Sequence, residues 1–164
     1  MIKIKTVIQA LASNEVDFVI VGGVAIHAYS SAYITDDFDF CYSRTTENLR
    51  KITAALAPFK PRFRQFPKDL PFVWDERTLL NGTNFTLETE IGDIDLLAGV
   101  AGVGNYKTVK TKSDLVSFYG FDVFILTIDA LIDAKKAAGR TKDLLVLPEL
   151  EGLKDLISKA TEEK

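Results

Sequence analysis

The sequence predicts an α+β (mixed α/β) protein: a mixed β-sheet flanked by helices, with further helices at the C-terminal end. Three observations predict it: an apolar segment that runs into a Gly-Gly pair, a segment with alternating polar and apolar residues, and apolar helical stripes that follow threonine caps. The chain has 164 residues, of which 47% are hydrophobic. We expect a single domain over residues 1–164, with a core at about 16–126 and a C-terminal helical part at about 127–164.

The N-terminal segment predicts a helix, a strand and a second helix. Apolar residues recur at helical spacing across residues 2–13. Residues 18–21 are four consecutive apolar residues, which is typical of a strand buried on both faces. The pair Gly22-Gly23 follows at once, and residues 24–29 suit a helix packed closely on the sheet.

The next unit is a second strand and a third helix. Residues 37–42 alternate between polar and apolar side chains, which predicts a strand with two different faces. Thr45 or Thr46 can cap the helix that follows. Its predicted apolar face consists of Leu49, Ile52, Ala55 and Leu56.

Prolines interrupt the middle of the chain, where we predict short edge strands and loops around residues 62–66 and 72–74. Residues 85–91 and 94–97 predict two strands separated by Gly92. The prolines that interrupt this stretch are Pro58, Pro61, Pro67 and Pro71.

The C-terminal third predicts a glycine- and lysine-rich loop over residues 99–112 and a short strand at residues 122–126. A helix follows between its cap Thr127 and Gly139, and a last helical segment begins after Thr141.

Composition argues against several classes of protein. The net charge is −3, so there is no overall basic excess of the kind that nucleic-acid-binding proteins carry. One cysteine and one histidine make a zinc site or an internal disulfide unexpected. We recognise no secretory signal, and the longest apolar run, near residues 18–26, is too short for a membrane helix. We therefore expect a cytoplasmic protein without membrane contact.

Two pairs of aspartates carry the functional interpretation. On a strand, residues two apart share a face, so Asp37 and Asp39 lie together, as do Asp93 and Asp95. If the two strands are neighbours, three or four carboxylates converge. Carboxylate oxygens are the ligands that Mg²⁺ prefers, and such a cluster can hold two ions. Alternatively, each pair is simply the solvated face of a sheet.

The Gly-Gly pair allows two interpretations. Glycines let a ligand approach the backbone, and a helix N-terminus offers free N–H groups to a phosphate. A tight connection from strand to helix explains Gly22 and Gly23 equally well.

Four segments in this order resemble the DNA polymerase β-like nucleotidyltransferase superfamily. They are Gly22-Gly23, residues 35–39 (Thr-Asp-Asp-Phe-Asp), residues 95–97 (Asp-Leu-Leu) and residues 135–143, which contain Lys, Gly-Arg and Lys-Asp. The chain looks most similar to the branch of minimal nucleotidyltransferases that contains the AbiEii-type toxins. The resemblance spans about residues 16–150 and implies a nucleotidyltransferase fold.

This resemblance also implies an activity, namely the transfer of NMP from an NTP to a hydroxyl of an RNA such as tRNA, a protein or a small molecule. It further implies a toxin with a partner antitoxin. A non-catalytic nucleotide-binding or regulatory protein on the same fold is the alternative. The implied catalytic residues, which would hold two Mg²⁺ ions or Mn²⁺, are Asp37, Asp39 and Asp95. The implied nucleotide-binding residues are Gly22, Gly23, Thr35, Lys135, Arg140 and Lys142.

Three positions depart from the family pattern: Thr141 stands where a proline is common, and the other two carry a tyrosine. Tyr29 stands where a histidine is common, and Tyr33 where an arginine is common. We expect both aromatic rings near the pocket. A separate alternation of Lys60, Arg62 and Arg64 predicts a basic edge, which either protects an edge strand from aggregation or guides an RNA backbone.

Overall fold

A computed structural model describes residues 1–163. The helices are α1 (Ile4–Ser13), α2 (Gly22–Tyr29), α3 (Thr46–Leu56), α4 (Glu76–Leu80), α5 (Tyr106–Thr111), α6 (Ile128–Ala138) and α7 (Thr141–Glu162). The strands are β1 (Phe18–Val21), β2 (Asp37–Tyr42), β3 (Arg62–Phe63), β4 (Phe85–Thr89), β5 (Gly92–Leu97), β6 (Gly99–Val100), β7 (Gly104–Asn105), β8 (Ser113–Phe118) and β9 (Phe121–Leu126).

Seven of the strands form one mixed sheet in the order β3-β4-β5-β2-β1-β9-β8. The pairs β2–β5 and β1–β9 are parallel, and the other pairs in this sheet are antiparallel. Helices α2 and α5 contact β1 and β2, while α1 contacts β9 and α3. The predicted mixed α/β architecture is therefore confirmed.

Strand β2 divides the centre of the sheet into an apolar and an acidic face. Phe38, Phe40 and Tyr42 share one face and are fully buried, with neighbouring ring centroids 6.3 and 6.5 Å apart. Asp37 and Asp39 occupy the opposite face because successive side chains alternate along a strand. The buried aromatic column thereby fixes the direction of the carboxylates.

Three local predictions are wrong. Residues 72–74 form no strand; instead the Phe72 ring packs on Phe63 at 4.9 Å, and Asp75 caps the unpredicted helix α4. The predicted loop over residues 99–112 contains α5, which Asn105 caps, and β8 follows it directly. Helix α2 begins at Gly22, so both glycines lie in its first turn rather than before it.

The C-terminal helix α7 runs along α6, with Leu150 fully buried on its inner face. It has 22 residues. Neither α7 nor any other helix within residues 1–163 combines the length and apolar character needed to cross a membrane.

Candidate active site

The register of the sheet aligns the acidic residues in rows. Strands β2 and β5 pair in parallel, with Asp37 opposite Asp93 and Asp39 opposite Asp95. Residues opposite each other in paired strands point to the same side of the sheet. The four aspartates therefore share one face, beside the point where β1 meets α2.

Three of these carboxylates converge on one point. Asp37, Asp39 and Asp95 each offer one oxygen, and the three oxygens lie within 4.8 Å of one another. The Oδ1 atom of Asp39 is buried and has no hydrogen-bond partner among the described residues. A hard divalent cation would satisfy this buried oxygen, so the donor set fits Mg²⁺ or Mn²⁺. Thr35 adjoins the cluster, with its Oγ1 atom 3.4 Å from Asp37 Oδ1.

The carboxyl of Asp39 is the most strongly perturbed group of the cluster. Burial, and after it the charge of Asp37, raise its pKa from the usual value to about 6. Lys135, Arg64 and Lys142 act in the opposite direction and lower the pKa. Asp39 thus carries its negative charge at a cost to the folded state when no metal is bound.

This cost has a definite pH dependence. Because the folded pKa of about 6 exceeds the reference 3.8 for the unfolded chain, ionised Asp39 destabilises the protein progressively as pH rises from about 4 to 6. In EDTA, Asp39→Asn is therefore expected to raise the free energy of unfolding by about 2–3 kcal/mol at pH 8 and by little at pH 4. Urea unfolding at both pH values measures the difference. A difference that is the same at pH 4 and pH 8 would contradict the assignment.

Gly22 and Gly23 are packed against the cluster. Gly22 has a φ of +65°, and a Cβ atom placed on it would lie 2.3 Å from Asp39 Oδ2. A Cβ on Gly23 would lie 2.4 Å from the Oγ1 of Thr35. The glycines thus make room for the side chains of the site, a requirement separate from phosphate binding.

Gly22→Ala is expected to lower the free energy of unfolding by about 1–2 kcal/mol from the backbone alone. It is also expected to weaken Mn²⁺ binding, because Asp39 must move away from the new methyl group. Gly152→Ala is the matched control, since no described atom beyond its chain neighbours and the surrounding helix backbone lies within 4 Å of its Cβ position, and alanine favours a helix. Urea unfolding and Mn²⁺ titration measure both effects. Unchanged Mn²⁺ affinity in Gly22→Ala would show that Asp39 does not depend on this close packing.

A second charged cluster joins α6 to α7. Asp143 is fully buried and accepts from Lys135 Nζ at 3.2 Å and from Arg140 Nε at 2.6 Å. Its hydrogen bond to Arg140 is the largest influence holding the pKa of Asp143 down at about 2, and Lys135 lowers it further. Arg140 is the N-cap of α7 and Lys142 lies in the first turn of that helix, whereas Lys135 lies in the last turn of α6, where a cation also interacts favourably with the helix dipole.

A cavity of about 290 Å³ connects the two clusters. Asp39, Gly22, Lys135 and Arg140 line it together with aliphatic side chains of α6. Lys142 is exposed and does not line the cavity, although its charge reaches Asp39. The structure thus brings Gly22, Lys135 and Arg140 together with the carboxylates and leaves Lys142 at the periphery.

Arg64 is a site residue that the sequence interpretation missed. It forms an ion pair with Asp95, and its Nε atom lies 3.8 Å from Asp93 Oδ2. The alternation of Lys60, Arg62 and Arg64 indicated a basic edge of the sheet. Only the order of the strands shows that Arg64, on this edge, lies beside the carboxylates. Lys60 pairs with Glu90 instead, at 3.2 Å.

The two tyrosines that depart from the family pattern differ in position. Tyr33 lies close to the site, where the charges of Asp37 and Asp39 add to burial in raising the pKa of its hydroxyl. Tyr29 does not itself line the cavity beside Asp39. Its hydroxyl donates at 3.1 Å to the backbone oxygen of Leu126, a residue that does line the cavity.

Solved structures with a similar fold include nucleotidyltransferases. The crystal structure of ANT(2")-Ia in complex with adenylyl-2"-tobramycin has a TM-score of 0.58 at 14% identity, covering 96% of this chain and 96% of that chain. The solution structure of ANT(2")-Ia, an antibiotic-resistance factor, has a TM-score of 0.57 at 16% identity, covering 98% and 91%. TM1012 of Thermotoga maritima, a proposed nucleotidyltransferase, has a TM-score of 0.56 at 13% identity, covering 93% and 96%.

No protein-family model and no curated protein sequence matches the chain. The likeness to these structures is one of fold, and it agrees with the fold that the sequence predicts. The chain therefore has the nucleotidyltransferase fold.

Proposed function

We propose that the protein is a Mg²⁺-dependent nucleotidyltransferase that transfers NMP from an NTP to a hydroxyl acceptor. The observation that carries this proposal is the convergence of Asp37, Asp39 and Asp95 beside a cavity that Lys135 and Arg140 line. One buried oxygen of Asp39 has no hydrogen-bond partner in the described part of the chain. The shared fold of the structural neighbours supports it.

In the proposed reaction, the acceptor oxygen attacks the α-phosphorus of the NTP and pyrophosphate leaves. Metal ions held by the three aspartates would neutralise charge on the entering and leaving oxygens. Lys135 and Arg140 supply fixed positive charge for the triphosphate, and Asp143 keeps both in place. The first turn of α2, at Gly22 and Gly23, offers backbone N–H groups to the phosphates, with Thr35 alongside.

The acceptor is proposed to be an RNA such as tRNA, a protein hydroxyl or a small molecule. An aminoglycoside belongs in the test panel because ANT(2")-Ia was crystallised with an adenylylated tobramycin. The resemblance to AbiEii-type toxins motivates a toxin with a cognate antitoxin, acting in the cytoplasm. A non-catalytic nucleotide-binding protein on this fold is the alternative.

The test uses each of the four α-³²P-labelled NTPs with Mg²⁺ or Mn²⁺ and a panel of total tRNA, protein and aminoglycosides. Transfer of label to one acceptor class, abolished by EDTA, would support the proposal and identify the substrate. NTP binding without transfer to any acceptor would favour the non-catalytic alternative. Absence of both metal and NTP binding would contradict the proposal.

A further inference from the structure

One of the three converging carboxylates already forms an ion pair with a cationic side chain of the protein itself. Arg64 Nη2 donates to Asp95 Oδ1, and the two side chains are 29% and 19% exposed. The backbone N–H of Arg64 donates to Thr86 at 2.9 Å, and Thr86 pairs with Asp95 in the neighbouring strand. Arg64 directly follows β3 and therefore continues the row that Thr86, Asp95 and Asp39 form across three neighbouring strands, so its position follows from the sheet.

A second carboxylate lies within reach of the same guanidinium. Asp93 is on the same face as Asp95, two residues earlier, and its side chain is 47% exposed. Its Oδ2 atom is 3.8 Å from Arg64 Nε, a buried nitrogen that has no hydrogen-bond partner among the described residues. A small rotation of the side chain would bring this nitrogen into hydrogen-bond range of Asp93.

We propose that Arg64 is a built-in competitor for the metal: it neutralises Asp95 in the metal-free protein and moves to Asp93 when a divalent ion binds Asp95. The inference rests on the metal site of the proposed function. Three carboxylates that share one point repel one another, and Arg64 relieves this repulsion when no ion is present. A bound divalent ion repels the guanidinium, and Asp93 provides the alternative partner.

The test is Mn²⁺ binding without nucleotide, measured by isothermal titration calorimetry and by electron paramagnetic resonance. Arg64→Gln is expected to bind Mn²⁺ roughly tenfold more tightly than the unaltered protein, because the ion no longer displaces a charged hydrogen bond. Arg62→Gln is the matched control. It removes the same charge two residues away, at the same edge of the sheet, but Arg62 donates to the backbone oxygens of Pro67 and Leu70 instead of a carboxylate. The Mn²⁺ affinity of Arg62→Gln is expected to change less than about twofold.

The role of Asp93 is tested by combining variants. Asp93→Asn is expected to weaken Mn²⁺ binding in the unaltered protein but to have little effect in the Arg64→Gln background, because Asp93 acts through Arg64. An equal loss in both backgrounds would show that Asp93 acts directly on the ion and would overturn the exchange.

A measurement on the unaltered protein covers the case in which Arg64→Gln does not fold. The NMR signal of the Arg64 Nε–H group is expected to shift on saturation with Mg²⁺, while that of Arg62 stays in place. Mn²⁺ affinity that is unchanged or weaker in folded Arg64→Gln, or an Arg64 signal that does not respond to Mg²⁺, would overturn the inference alone. Failure of the unaltered protein to bind either ion would overturn the proposed function as well.

Discussion

Asp39→Asn is expected to reduce nucleotide transfer by about 10³-fold or more while the protein stays folded. Asp39 belongs to the triad, and its buried Oδ1 atom has no hydrogen-bond partner within residues 1–163, so a cation would satisfy it. Asparagine keeps the shape but removes the negative charge that would hold the ions. A loss of about 4 kcal/mol of transition-state stabilisation corresponds to this factor. Initial rates of label transfer from α-³²P NTP, at saturating Mg²⁺, measure the loss.

Asp36→Asn is the control for this variant. Asp36 is exposed, precedes β2 and lies outside the triad, so its replacement removes the same charge from a neighbouring position. Its rate of transfer is expected to stay within a factor of about two. A rate in Asp39→Asn that equals the rate in Asp36→Asn would refute the catalytic role of the triad.

The second large effect is expected on stability. Asp143→Asn is expected to lower the free energy of unfolding at pH 7 by about 2–4 kcal/mol, because it leaves Lys135 and Arg140 without their shared buried anion. This range extends below the about 3–5 kcal/mol expected for fully buried pairs, since Arg140 is 62% exposed. The folded pKa of Asp143 is lowered to about 2, so its stabilisation is present above pH 4 and lost as pH falls through about 2. Urea unfolding at pH 7 and pH 2 measures both parts.

The ion pair between Asp129 and Lys154 provides the comparison for Asp143. It also joins α6 to α7, at 2.7 Å, but both side chains are largely exposed to solvent. Asp129→Asn is therefore expected to change the stability far less than Asp143→Asn. Equal effects of the two variants would show that Asp143 is not the anchor of the two helices. Transfer by Asp143→Asn is also expected to fall, because Lys135 loses the partner that fixes its position.

Local patterns predict the elements that position the site. The alternation of residues 37–42 predicts β2 with its bounds, and Thr45 and Thr127 cap α3 and α6 as expected. These features depend on neighbours in sequence, such as a side chain that accepts from a backbone N–H three residues later. The acidic face of β2 can therefore be predicted from its own residues, without knowledge of the rest of the chain.

Other features depend on strand order and could not be predicted in this way. Strand β8 lies at an edge of the sheet beside β9, and several of its residues, among them Leu115, are exposed. Its sequence therefore shows no clear alternation of polar and apolar residues. The contact of Arg64 with Asp95 depends on the register of β3, β4 and β5 together. The burial of Asp143 depends on the packing of α6 against α7, which no short-range pattern encodes.

The parallel pairing of β2 with β5 also bears on how the protein folds. Residues 43–91 separate the two strands, so the third aspartate joins the other two only after this long segment has closed. Closing such a loop is slow compared with forming hairpins between adjacent strands. An early intermediate that contains only β1 and β2 would thus lack a complete ion site. A lanthanide ion added during refolding would then show no bound-state luminescence until β2 and β5 have paired. The appearance of its luminescence would report when this pairing occurs.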